Sequence, residues 1–226
     1  MILRKNKFDF LEYLASGFRN KRIEIERVPP LAKLSERMGV SIASLREQLV
    51  VARAFGFIEV RPRTGIRRLP YSFAPAVHAS LSYAISLDRG YFDDFSDLRR
   101  HLEANYWFEA VERLTEDDKE LLNDLVDRAW KKLEDQPVQL PHNEHRELHL
   151  IIFGRLENPF VKGILEAYWD AYEEVGLSRY TELEYLKNVW NYHREIVDAI
   201  CSGDYEKSHQ MLMDHMKMIR RLNQNE

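Results

Sequence analysis

The chain has 226 residues, 45% of them hydrophobic and 12% aromatic, which suits one large domain or two ordinary ones and excludes a disordered polymer. Its one cysteine, Cys201, excludes an intramolecular disulfide, and no stretch is apolar for long enough to cross a bilayer, so a cytoplasmic protein is expected. The net charge of −4 conceals a polarity: residues 1–70 carry 15 Lys/Arg against 7 Asp/Glu and the remainder 18 against 30, which places any polyanion contact in the N-terminal third.

Residues 7–19 predict a short amphipathic helix, with Phe8, Leu11, Leu14 and Phe18 at helical spacing. After Pro29-Pro30 a second helix is expected over 31–38, ended by Gly39, and Ser41 caps a third that runs to about Phe55. FIEVR and IRRL then read as two strands joined by the turn PRTG. Helix, helix, turn, helix, β-hairpin is the order of a winged helix-turn-helix, assigned here to residues 1–70. PYSFAP, with residues 71–75 as its core, is the expected linker. Beyond it helices are predicted over about 76–88, 93–113, 116–134, 142–156, 159–174, 181–201 and 204–222. The expected fold is therefore mainly α: a winged helix-turn-helix with a small β-hairpin wing, then an all-α antiparallel helical bundle over 76–226.

Gly39-Val40-Ser41, Leu45-Arg46-Glu47 with Leu49, Gly56-Phe57-Ile58 and Thr64-Gly65 together resemble the winged-helix domain of the GntR family of bacterial regulators, over roughly residues 8–70. The buried face of the third helix falls to Val40, Leu45, Leu49 and Ala52. That leaves Ser41, Ile42, Ala43, Ser44 and Arg46 at the end which in such motifs faces the major groove. Arg46 suits a bidentate grip on guanine or a phosphate, and Ile42 and Ala43 suit a thymine methyl. On the wing, Arg61, Arg63, Arg67 and Arg68 suit phosphates, while Thr64-Gly65 forms a tip whose backbone can enter the minor groove. Family members usually carry arginines near position 32 and just after the Gly-Val-Ser turn. Here Ala32 and Ile42 stand instead, so the operator need not match that of a relative.

In the helical half, His145 and His149 lie one helical turn apart, His193 sits among Val189, Trp190, Ile196 and Val197, and His215 among Met211, Leu212, Met218, Ile219 and Leu222. All four imidazoles are expected to face inward. A single inward histidine is ordinarily a hydrogen-bonded core residue, but four on three helices would leave several polar rings to satisfy, and one shared divalent cation would satisfy them together. His78, His101 and His209 read as surface or packing residues, and Cys201 as a small buried one.

Asp97-Leu98-Arg99-Arg100-His101-Leu102-Glu103, Leu148-His149 with Asn158, His193 in YHREIVDAI and His215 in MDHMKMI resemble the C-terminal ligand-binding domain of the FadR subfamily of GntR regulators. The resemblance implies a metal site of one Asp and three His, with His145 at the position of the Asp. Losing that anion shifts preference towards Zn²⁺ or Ni²⁺, and His142 or Glu144 can substitute if the helix begins differently. It also implies a small carboxylate effector held by Arg99 or Arg100, unless both are surface residues with acidic neighbours. The function expected is a homodimeric, ligand-responsive regulator bound to a double-stranded DNA operator, with no membrane partner. Two alternatives remain open at this point: a metal-dependent hydrolase or isomerase using the histidines, and a DNA-binding regulator with a metal-free dimerisation domain.

Overall fold

A left-handed glycine sets the first packing angle of the protein. In a computed structural model that describes residues 9–16, 27–175 and 182–223, Gly39 adopts φ of 67° and ends helix α2 (Leu31–Met38) by donating its N–H to Ser35. Few side chains tolerate that conformation. Ser41 then caps α3 (Ile42–Ala54), its side chain accepting from the backbone N–H of Ser44. Helix α1 (Asp9–Ser16) is pinned to α3 by Gln48, a buried amide whose Oε1 accepts from the Phe10 N–H at 2.9 Å. Phe10, Leu14, Leu34, Leu45, Ala52 and Ile58 form the small core beneath, with Val40 and Leu49 at its edge. Phe8 and Phe18, at the ends of the expected first helix, lie outside the described residues.

The wing differs from the expected hairpin. Strands β2 (Ile58–Arg61) and β3 (Gly65–Arg68) pair antiparallel, but β1 (Arg27–Val28) pairs with the other side of β3, giving a three-stranded sheet in the order β1-β3-β2. Two residues before Pro29-Pro30 are too few to show alternation, so pairing with β3 alone makes them a strand.

Eleven-residue to 22-residue helices fill the second half: α4 (Ala74–Leu87), α5 (Gly90–Val111), α6 (Glu116–Glu134), α7 (His142–Ile152), α8 (Pro159–Val175), α9 (Leu183–Cys201) and α10 (Tyr205–Asn223). Local chemistry explains several of their starts. Thr115 and Asp118 form a reciprocal capping box for α6. Asn158 accepts from the N–H groups of Phe160 and Val161 at the head of α8, and Asp204 accepts from Lys207 at the head of α10. Helix α4 starts earlier than predicted, inside the expected linker, because the Ser72 hydroxyl takes the N–H of Ala74 and Pro75 falls in the first turn, where a missing N–H is harmless. Asp88 does the same for Gly90 and brings α5 forward.

The chain divides into two compact units, Met1–Ala79 and Ser80–Glu226, with the boundary inside α4. In the second unit, α9 packs on both α10 and α6, α6 on α7, and α5 on α8 and α10. Trp107 and Trp190 are enclosed among Leu122, Leu125, Leu148, Ile196 and Ile200, and the Trp107 indole donates to the Ser208 hydroxyl at 3.0 Å. No helix among the described residues is long and apolar enough to cross a membrane.

Candidate nucleic-acid interface and metal centre

Ser41, Ile42, Ala43 and Arg46 are exposed along the leading face of α3, and Val50 and Arg53 continue that face. Val50 is 65% exposed, an apolar residue four positions after Arg46 and off the buried stripe. That offset was the available sequence signal for a longer contact face. Ser44 is half-buried, and its hydroxyl accepts from the Gln48 amide at 3.3 Å. On the wing, Arg63 has φ of 66° and Gly65 82°, which turn the chain sharply at the exposed tip. Arg27 supports that tip by donating from Nε to the Thr64 carbonyl at 2.8 Å. Arg61 is exposed and paired with Glu59 at 2.8 Å, and Arg67 lies opposite both Arg27 and Glu59 in the sheet.

Arg68 corrects an expectation. It is buried, donates to the Tyr13 carbonyl at 3.3 Å and lies over the Tyr13 ring, so it is not a wing residue for phosphate. Strand alternation explains this: Arg68 is two residues from Ile66 and shares its inward face, whereas Arg67 points the other way.

In the helical unit the stripes on α7 and α9 converge. One ring nitrogen each from His145, His149 and His193 lie within 4.8 Å of one another. His215, from α10, is outside that mutual set but meets the His193 ring edge-on, with the centroids 4.8 Å apart. Trp169 walls the group, 4.7 Å from His145 and 4.8 Å from His149, with Tyr172 and Trp190 nearby. The side chains of Met218, Ile219 and Leu222, expected to flank His215, lie outside the described residues.

Helix α5 adds an ion pair to this cluster. Its inward stripe is Phe92, Ser96, Arg99, Glu103, Trp107 and Ala110, and within it Arg99 and Glu103 meet at 2.8 Å with almost no exposure. Arg99 also lies over the rings of Tyr168 and Trp169. Glu103 Oε1 is 3.1 Å from His149 Nδ1. Of the two arginines considered for an effector, the structure brings Arg99 into the cluster. Arg100, one position on and turned away round the helix, pairs with Asp97 at 2.6 Å. Glu144 is buried but held by Lys132 at 2.8 Å and Arg128 at 3.2 Å, so it does not stand in for the absent aspartate. His142 is half-buried at the first position of α7, three residues before His145, and is not among the three histidines whose ring nitrogens converge. Cys201 is half-buried and accepts from the Asn123 amide at 3.2 Å, and His209 packs on Phe108.

The electrostatics favour ligation. Burial pushes the His145 and His193 rings well below their ordinary pKa, helped by neighbouring histidines, His149 and His215 among them, and by Arg99. Burial lowers His149 too, against the pull of Glu103, and takes His215 down to about 3. All four are therefore neutral, with a lone pair to give. Burial would raise the Glu103 carboxyl, but Arg99 and then His149 outweigh it and hold the group at about 2. Both nitrogens of His193 and of His215, Nε2 of His145 and Nε1 of Trp169 are enclosed without a hydrogen-bond partner. Buried polar atoms are rarely left so. Neutral imidazoles with unpaired nitrogens from separate helices fit a divalent ion such as Zn²⁺ or Ni²⁺. The ion would need the rings to close further, because ligands on tetrahedral zinc sit roughly 3.4 Å apart.

Comparison with known proteins gives a consistent picture. Residues 94–218 match the FCD domain. The chain is 22% identical over 197 residues to an uncharacterized HTH-type transcriptional regulator, YcbG, of Bacillus subtilis, covering 86% of this chain and 79% of that protein. In fold it resembles a GntR protein of Streptococcus agalactiae (TM-score 0.70, 19% identity, 93% of this chain and 96% of the other). It also resembles McbR/YncC of E. coli (TM-score 0.53, 21% identity, 86% of each).

Proposed function

Because this chain belongs to the FCD family, whose domain is the C-terminal half of FadR-type GntR transcriptional regulators, we propose that it reads a double-stranded DNA operator with residues 1–70 and senses a small carboxylate beside a divalent metal with residues from 76 onward. Membership in a family of regulators removes the hydrolase and isomerase reading of the histidines. It acts in the cytoplasm as a homodimer, pairing two heads with two half-sites. The observation that carries the proposal is the enclosed group of unpaired imidazole nitrogens next to Arg99. A divalent ion there adds positive charge to a cluster whose ion pair is already balanced, and a carboxylate then finds both a metal and a guanidinium. Effector binding biases the two arrangements of the heads through its different affinity for each.

On the DNA side, Ser41, Ile42, Ala43, Ser44 and Arg46 meet the major groove, and Arg61, Arg63, Thr64, Gly65 and Arg67 meet the backbone and minor groove. Arg46→Ala is expected to weaken binding to the protein's own promoter fragment by about 10- to 100-fold, in line with the loss of one bidentate base contact. Fluorescence anisotropy across a salt series measures this. Unchanged affinity at every salt concentration removes Arg46 from the interface.

On the effector side, a thermal-shift screen of metal-loaded protein is expected to find carboxylates among the stabilising compounds, with a shift that grows with ligand concentration. Arg99→Ala should abolish that shift. Stabilisation by neutral compounds alone would count against the pocket, and no shift with any compound, with or without metal, would favour a metal-free dimerisation domain.

A further inference from the structure

Glu103 belongs to none of the roles above, yet it is the one carboxylate against the imidazole cluster among the described residues, and its side chain is wholly buried. An ionised carboxylate only accepts hydrogen bonds. With Glu103 Oε1 at 3.1 Å, a proton on His149 Nδ1 gives this carboxylate its donor, and in a neutral ring that leaves the lone pair on Nε2. Arg99 Nη2 approaches both ring nitrogens, and in this tautomer only the longer contact joins a donor to an acceptor. At Nδ1 (3.2 Å) the guanidinium faces another donor, whereas at Nε2 (3.5 Å) it faces an acceptor.

We propose that Glu103 is a positioning residue for the candidate metal centre: by accepting the Nδ1 proton of His149 it fixes the tautomer that offers Nε2, alongside His145 and His193, to a divalent ion. The proposal rests on the metal reading given above. Arg99 has two parts in it. Its charge keeps Glu103 ionised, and its contact at Nε2 is what an incoming ion displaces. Carboxylates behind metal-binding imidazoles commonly act in this way.

Glu103→Gln tests the idea with little change of shape. Arg99 donates, so it takes the oxygen of the new amide and turns the NH₂ towards His149. Nδ1 then has to accept, and the proton moves to Nε2, the atom an ion needs. Long-range ¹⁵N–¹H correlation on histidine-labelled, metal-free full-length protein reads the tautomer, with His149 assigned by the signal lost in His149→Gln. The expected result is an Nδ1–H ring in the parent protein, an Nε2–H ring in Glu103→Gln, and Zn²⁺ affinity against a competing chelator lowered about 10- to 100-fold. Glu103→Asp, which keeps the acceptor, should restore the Nδ1–H signal. An Nε2–H ring in the parent, or an unchanged tautomer in Glu103→Gln, overturns the proposal. An Nδ1–H ring in a parent protein that takes up neither Zn²⁺ nor Ni²⁺ overturns the metal reading and the proposal with it, and the tautomer signal tells that failure from the other.

Discussion

Replacing His149 and His193 together with Ala is expected to take the protein from about one bound divalent ion per chain to none. These residues come from α7 and α9, and with His145 they form the set whose ring nitrogens lie within 4.8 Å of one another. Without them His145 and His215 remain, and two imidazoles on different helices hold an ion far more weakly than three or four. Each truncation also opens space in a packed interior, which typically costs about 2–5 kcal/mol, offset in part at His193 because both nitrogens of that ring are buried without a partner. The winged head has a separate core of Phe10, Leu34, Leu45 and Ile58, so binding of the promoter fragment should persist at moderate temperature. His149→Gln with His193→Leu keeps more volume and serves where the double alanine variant unfolds. Metal content by mass spectrometry decides the matter: equal stoichiometry in parent and variant means that other residues are the ligands.

Acid should destabilise the metal-free protein well before its carboxylates titrate. The four cluster histidines all have folded pKa values below the ordinary value of about 6.5, chiefly because burial opposes the charged ring. Between the folded and unfolded values the unfolded chain binds protons that the folded chain refuses. Stability is therefore whole above about pH 6.5 and falls as the pH drops, by up to about 1.4 kcal/mol per pH unit for each ring. The loss accumulates over the four rings, against a total stability of about 5–15 kcal/mol for a typical domain. Glu103 stays ionised through this window, since its carboxyl titrates near 2. Urea unfolding at pH 7.5, 6.5, 5.8 and 5.0 measures the slope, and His215→Leu, with one ring fewer, should flatten it. A level profile between pH 7 and 5 would show that the rings are hydrated or charged in the folded state. Bound metal should steepen the loss, because protons and the ion compete for the same lone pairs.

Much of this architecture could be read from short stretches of chain. Helix α6 was expected over 116–134 and spans those residues, because Thr115 and Asp118 form a cap that depends on neighbours three positions apart. The turn at Gly39, the cap at Ser41 and the wing-tip bend at Thr64-Gly65 are equally local. The inward direction of the histidines followed from the apolar residues at helical spacing around them. Where expectation and structure part, the deciding partner is often distant. Strand β1 exists because β3 lies beside it, whereas α4 begins early for a local reason, the Ser72 hydroxyl taking the Ala74 N–H. Arg68 was grouped with its charged neighbours, although alternation from Ile66 already pointed it inward. Glu103 was visible as the residue four after Arg99 on a stripe that includes Ser96 and Trp107, but a glutamate on that stripe reads as a helix-surface charge until its partners are known.

The amino-acid order alone thus determined the helices, the turn at Gly39, the caps at Ser41 and Thr115 and most of the inward faces, along with the family resemblance, since those depend on side chains within one or two turns of each other. Only the tertiary structure decided which enclosed polar groups meet. It joined Phe10 to Gln48 across 38 positions, Glu103 to His149 across 46 and Arg99 to His149 across 50. It also sent Arg99 inward while Arg100 kept Asp97. The physical reason is that a hydrogen bond or ion pair acts over about 3 Å and is chosen by whichever donor and acceptor the packed helices deliver to that distance.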